Sequence, residues 1–135
     1  MNFNNFTIKS QEIVQKAIEL TRNGGQQQIT PLHLLKALCI ESESIINFIL
    51  QKCGATISTI SAQIDHQLAM LPKVSGGEVF LSKESNDALQ KSVECSKKQG
   101  DEYVSAEMLL MGIVLSSSAA AQILKDRGVT SKRIE

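Results

Sequence analysis

The stretch VQKAI at residues 14–18 is answered by LQKSV at residues 89–93, an offset of 75 in a chain of 135 residues. The echo runs on in both directions. At the same offset Thr7 faces Ser82, Ser10 faces Ser85, Gly25 faces Gly100, Ile29 faces Val104 and Thr30 faces Ser105. Leu34-Leu35 then faces Leu109-Leu110. With one residue dropped, Ile49-Leu50 matches Ile123-Leu124, Gly54 matches Gly128 and Thr56 matches Thr130. Capping residues, turn glycines and apolar positions recur in one order. Two copies of a helical unit account for this, at about 7–60 and about 82–134, with a helix and a loop at 61–81 between them. Solenoids repeat with periods of about 20–50 residues. A longer period with two copies points instead to a pseudo-twofold domain spanning 1–135.

Local signals assign helices throughout. Thr7 caps a first helix whose inward stripe is Ser10, Ile13, Val14, Ala17, Ile18 and Thr21, spaced three and four apart. Asn23-Gly24-Gly25 stops it. Thr30 at the cap and Pro31 at the first helical position start a second helix, with Leu34, Leu35 and Leu38 inward. Ser42 or Ser44 opens a third, carrying Ile45, Ile46, Ile49 and Leu50 to Gly54. A fourth runs from about Ser58 to Pro72. The loop LPKVSGGEVF, residues 71–80, is the main break. Ser82 restarts the pattern with Leu89, Val93 and Ser96. Ser105 caps a sixth helix, Ala119–Leu124 marks a seventh, and Thr130 caps a final turn. No segment alternates with period two for long, so the expected fold is all-α with about eight helices.

Composition narrows the function classes. Fourteen basic and fourteen acidic residues cancel, which argues against nucleic acid or an anionic membrane as partner. Cys39, Cys53 and Cys95 form no disulfide framework or metal-ligand spacing and fit a reducing cytoplasm. The amino terminus has no secretory pattern, and no run reaches the roughly 18 apolar residues of a membrane span. His33 and His66 read as surface or cap-proximal side chains, since neither has a partner at a metal-binding spacing. Ser75-Gly76-Gly77 lacks the lysine of a phosphate cradle. No activated nucleophile is apparent.

The stretches FTIKSQEIVQKAIEL, ITPLHLLKAL, GDEYVSAEMLLMGI and QILKDRGV together resemble the amino-terminal domain of Clp-family AAA+ ATPases. The loop LPKVSGGEVFLS is most similar to that of the ClpB-type disaggregases. The resemblance covers essentially the whole chain. It implies a non-catalytic binding domain that engages exposed apolar segments of unfolded or aggregated polypeptides and passes them to an ATPase ring. No cofactor is expected in this domain; ATP and Mg would belong to ATPase modules elsewhere in a homohexamer. The domain alone would be monomeric and cytoplasmic.

The resemblance also implies a binding surface. A polar cluster falls on Thr7, Asp101 and Glu107, where the residue types match. An apolar groove falls on Leu89, Lys91, Cys95 and Met108, where Lys91 and Cys95 depart from the expected leucines. Each has a plain structural alternative. Thr7 is a helix cap, Asp101 a turn residue, and Glu107 a carboxylate in a first helical turn. Leu89 aligns with Val14 and so with the core. Met108 falls opposite His33 and is the foremost groove candidate, because a thioether adapts to varied partners. Two rival functions stand beside client capture. One is a regulatory domain docking on its own ATPase body. The other is ClpC-type recognition of phosphoarginine, which takes a carboxylate from each repeat; here Glu107 is matched by Leu32.

Overall fold

The structure is a computed structural model and describes residues 2–74 and 76–135. Ser75, part of the glycine-rich stretch discussed above, lies outside them. The fold is all-α. Helix α1 spans Ile8–Asn23, α2 Pro31–Glu41, α3 Glu43–Lys52 and α4 Ile57–Ala69. Helix α5 spans Lys83–Lys98, α6 Ala106–Leu115, α7 Ala119–Asp126 and α8 Ser131–Ile134. Six of these helices start from a Ser or Thr whose hydroxyl accepts the backbone N–H three residues on: Thr7, Thr56, Ser82, Ser105, Ser118 and Thr130. Such a bond satisfies one of the N–H groups that a helix start leaves without a partner. At the far ends of α1 and α5, Gly25 and Gly100 take φ near +76° and +78°. That geometry lets Gln26 N–H reach Thr21 O and Asp101 N–H reach Ser96 O, and it favours glycine.

The expected boundary at residue 60 falls inside α4, which is continuous from Ile57. Both α4 and α8 follow a threonine cap, Thr56 and Thr130, so α8 is the short counterpart of α4. Among the described residues no helix is long and apolar enough to cross a membrane.

Helices α2 and α6 form the centre. Leu34, Leu35, Leu38, Leu109, Leu110 and Ile113 are all buried, and α2 packs against α1, α3, α4, α5, α6 and α7. A helix that is apolar on nearly every side, as MLLMGIV is, has to be enclosed. Fully burying each such side chain favours folding by about 1.5–3 kcal/mol. Ile45 departs from its expected inward place and is 45% exposed. One residue before Ile46 on α3, it falls outside the arc that faces α2.

Two contacts that period-two patterning could not reveal lock the repeats together. Gln28–Ile29 (β1) pairs in parallel with Phe80–Leu81 (β2), and Phe6 makes a parallel bridge with Val104. In each case the residues before one repeat's first helix pair with those before the other repeat's second helix. Thr7 N–H donates to Val104 O at 3.1 Å, and Ser82 N–H donates to Ile29 O at 3.1 Å. This reciprocity makes the pair a pseudo-twofold unit.

Candidate functional site

The polar cluster is assembled by one of these crossings. Val104 N–H donates to Asn5 O at 2.8 Å, and Val104 O accepts from Thr7 N–H and from Ser10 Oγ. Residues 101–107 are thereby held beside the start of α1. Ser96 Oγ fixes the loop from below, against Asp101 O at 3.1 Å and Tyr103 O at 3.2 Å. With the backbone occupied inward, the side chains of Asp101, Glu102 and Tyr103 are exposed, while Thr7 and Glu107 are half-buried. Among the described residues no hydrogen bond or ion pair joins the side chains of Thr7, Asp101 and Glu107. Thr7 Oγ1 is engaged as the α1 cap, accepting Ser10 N–H at 3.0 Å.

Of the groove residues, Leu89 faces the interior, while Lys91, Cys95 and Met108 are half-buried. Leu89 is 1% exposed and shares the interior with Ile13, Leu38, Leu109 and Ile113. It faces inward where α5 and α6 are in close contact. Gly112 permits that contact: a Cβ at this position would meet the Ala88 carbonyl, the Ser92 hydroxyl and, at 2.9 Å, the Ser92 nitrogen. Lys91 lies outside the core and pairs with Asp87 at 3.5 Å, one helical turn away. Cys95, a further turn along, is half-buried, and its thiol is pushed up mainly by burial, with Lys98 opposing. Met108 is half-buried and packs against the core.

Sequence reasoning missed the apolar groups that do stand at the crossing. Ile8 is 78% exposed and Tyr103 53%. Ile8 follows Thr7 directly and Tyr103 precedes Val104. A signal for Ile8 was present, since it falls off the Ser10–Ile13–Val14–Ala17 stripe onto the face of Gln11 and Glu12.

The first repeat differs at the corresponding place. The counterparts of Thr7, Asp101, Glu107 and Met108 are Ser82 in the second repeat and Gln26, Leu32 and His33 in the first. Leu32 is a core residue, so the position matching Glu107 carries no carboxylate. Here a cleft of about 530 Å3 opens, lined by Gln26, Gln28, Leu32, Pro72, Ser82 and Ala119 among others. The inter-repeat loop forms one wall. Of the two readings offered for His33, surface or cap-proximal, the second holds: it closes the capping box with Thr30 and is 1% exposed, behind the cleft. Its Nδ1 accepts Thr30 N–H at 3.0 Å, which places the ring proton on Nε2, facing Gln26 Oε1 at 3.3 Å. Burial lowers its pKa to about 4. His66 is exposed. Among the described residues no group of three His, Cys, Asp or Glu is placed to hold a metal ion.

The Clp repeat (R) N-terminal domain family matches residues 5–127. The chain belongs to this family. Among curated relatives, the chaperone protein ClpB of Bacteroides thetaiotaomicron is 48% identical over 134 residues, which is 99% of this chain and 16% of that protein. ClpB of Porphyromonas gingivalis is 43% identical over 135 residues, covering all of this chain and 16% of that protein. The chain thus spans about one-sixth of the length of these relatives. Among solved structures, the Hsp104 N-terminal domain from Candida albicans superposes with a TM-score of 0.84 at 20% identity. That match covers 97% of this chain and 87% of the other, and it speaks for the fold. The sequence of this Clp N-terminal domain is thus similar to the corresponding part of ClpB chaperones.

Proposed function

We propose that this Clp N-terminal domain binds exposed apolar segments of unfolded or aggregated polypeptides and delivers them to the ATPase ring of a ClpB-type disaggregase. The observation that carries the reading is the surface at the Thr7–Val104 crossing. There Ile8 and Tyr103 hold apolar area in solvent on a backbone fixed by hydrogen bonds. Asp101 and Glu107 flank it with negative charge, and Met108 adds a half-buried thioether. Exposed apolar groups on a rigid frame capture unfolded chains without demanding one sequence. So small a patch gives weak binding, which suits a site that must release its client.

On this reading the domain itself is non-catalytic. ATP and Mg are bound by the ATPase modules of a homohexamer, and nucleic acid and membrane are not partners. The balanced charge argues against nucleic acid and anionic membrane, and the three free cysteines support work in a reducing cytoplasm.

The test is fluorescence anisotropy with a labelled, permanently unfolded apolar protein. The Ile8→Ser/Tyr103→Ser double variant changes only exposed side chains. It should weaken binding by about five-fold or more, as loss of interface anchors does. Unaltered binding would remove this surface from the account.

A further inference from the structure

We propose that the cleft of the first repeat is a second polypeptide site, which takes an extended segment along the free edge of β1 and prefers a basic residue within an apolar stretch. This rests on the reading of the domain as a polypeptide binder and adds a site on the opposite repeat.

The first ground is the backbone of Gln28. In the parallel β1–β2 ladder, Phe80 N–H donates to Gln27 O at 3.0 Å and Ser82 N–H to Ile29 O at 3.1 Å. The ladder skips Gln28, whose N–H and C=O make no hydrogen bond among the described residues. Gln28 is exposed and lines the cleft. Its counterpart Tyr103 is not free in the same way, because Ser96 Oγ donates to Tyr103 O. The residue equivalent to Ser96 is Thr21, whose hydroxyl turns back to Ala17 O at 2.8 Å within its own helix. The Gln28 carbonyl is left open by that difference. An unpaired strand edge is a template for an added extended chain, with alternate side chains falling into pockets.

The second ground is the cleft's chemistry. Its volume of about 530 Å3 is in the range of roughly 300–1,000 Å3 that ligand sites occupy. Leu32, Leu71, Pro72, Val74 and Ala119 supply apolar wall, and the glutamines supply neutral amides. Among the described lining residues Glu84 is the sole charged one. It is exposed and makes no ion pair among the described residues. One free carboxylate in an otherwise neutral cleft favours a single cation on the bound segment and disfavours an anion.

The experiment uses the 135-residue chain and a labelled peptide of alternating leucine and serine with one central arginine. A second peptide carries glutamate in place of the arginine. The arginine peptide should bind about five-fold or more tightly than the glutamate peptide, and Glu84→Arg should invert that order. Gln28→Pro deletes the free N–H while leaving the ladder bonds intact, and should weaken both peptides. If Gln28→Pro melts the domain, the Glu84→Arg inversion still decides. Binding that ignores both substitutions overturns the proposal. If that same binding is lost in Ile8→Ser/Tyr103→Ser, the client surface survives and the second site does not. Inversion by Glu84→Arg with no capture of an unfolded protein would leave the cleft site standing and the client reading fallen.

Discussion

Ser10 donates its hydroxyl to the carbonyl of Val104 at 2.8 Å, across 94 residues of chain, and Ser85 makes the equivalent bond to Ile29 at 2.6 Å. Both serines are fully buried. Each ties a helix start in one repeat to the strand-like residues before the central helix of the other.

Ser10→Ala and Ser85→Ala should therefore destabilise the domain, each by about 1 kcal/mol, the usual net worth of an intramolecular hydrogen bond. The loss stays near that value because Thr7 and Ser82 N–H still satisfy the two carbonyls. Urea unfolding of both single variants and the double variant measures it. Equal losses in the two would confirm that the crossings are equivalent.

Gly112→Ala sets two effects against each other. Alanine gains about 1 kcal/mol of helix propensity over glycine. The new methyl would meet Ala88 O and Ser92, and overpacking costs about 1–3 kcal/mol. Because the Ala88 carbonyl is backbone and cannot turn aside, overpacking should win and the melting temperature should fall. Adding Ser92→Ala should restore only part of the loss, since the carbonyl remains.

Stability should fall in acid through His33. Its pKa is lowered from 6.5 to about 4 in the folded chain. Above pH 6.5 the ring is neutral whether folded or unfolded, and its contribution is fully present. Between pH 6.5 and 4 the unfolded chain takes up a proton that the folded chain refuses, so stability declines. Below about 4 the decline from this group ends. The span corresponds to about 3 kcal/mol. Denaturation midpoints measured from pH 7.5 to 4 should show this slope, and His33→Gln, which keeps a capping-box acceptor, should flatten it.

Thiol labelling should separate the cysteines. Cys39 and Cys53 are buried, and burial pushes the Cys39 thiol up to about 11. Half-buried Cys95 should react first, though more slowly than a free thiol, because its thiolate is also disfavoured. Cys39 and Cys53 should react only at the rate of unfolding. Mass spectrometry of the alkylated chain would read the order directly.

The fold was legible because its repeat is written in residues that act locally. Thr7 and Ser82 cap, Gly25 and Gly100 turn, and Leu34-Leu35 and Leu109-Leu110 fill the centre. The β1–β2 pairing was not legible, since two-residue strands set 52 residues apart carry no periodic signal. For His33, an imidazole beside a cap looks alike in sequence whether its ring is covered or open. Leu89 shows the limit of transferring a site by position. The alignment with Val14 pointed to the core, and Leu89 is buried beside Ile13, Leu109 and Ile113. The cleft was invisible because its walls come from four separate parts of the chain, around Gln28, Pro72, Glu84 and Ser118, which only folding joins.

The measurement that tests the central claim most directly is a backbone amide NMR titration of the domain with a permanently unfolded apolar protein. The account predicts shifts centred on Thr7, Ile8, Asp101, Tyr103, Glu107 and Met108, and their loss in Ile8→Ser/Tyr103→Ser. No shifts at millimolar ligand would contradict client capture by this domain and leave docking on the ATPase body as its role.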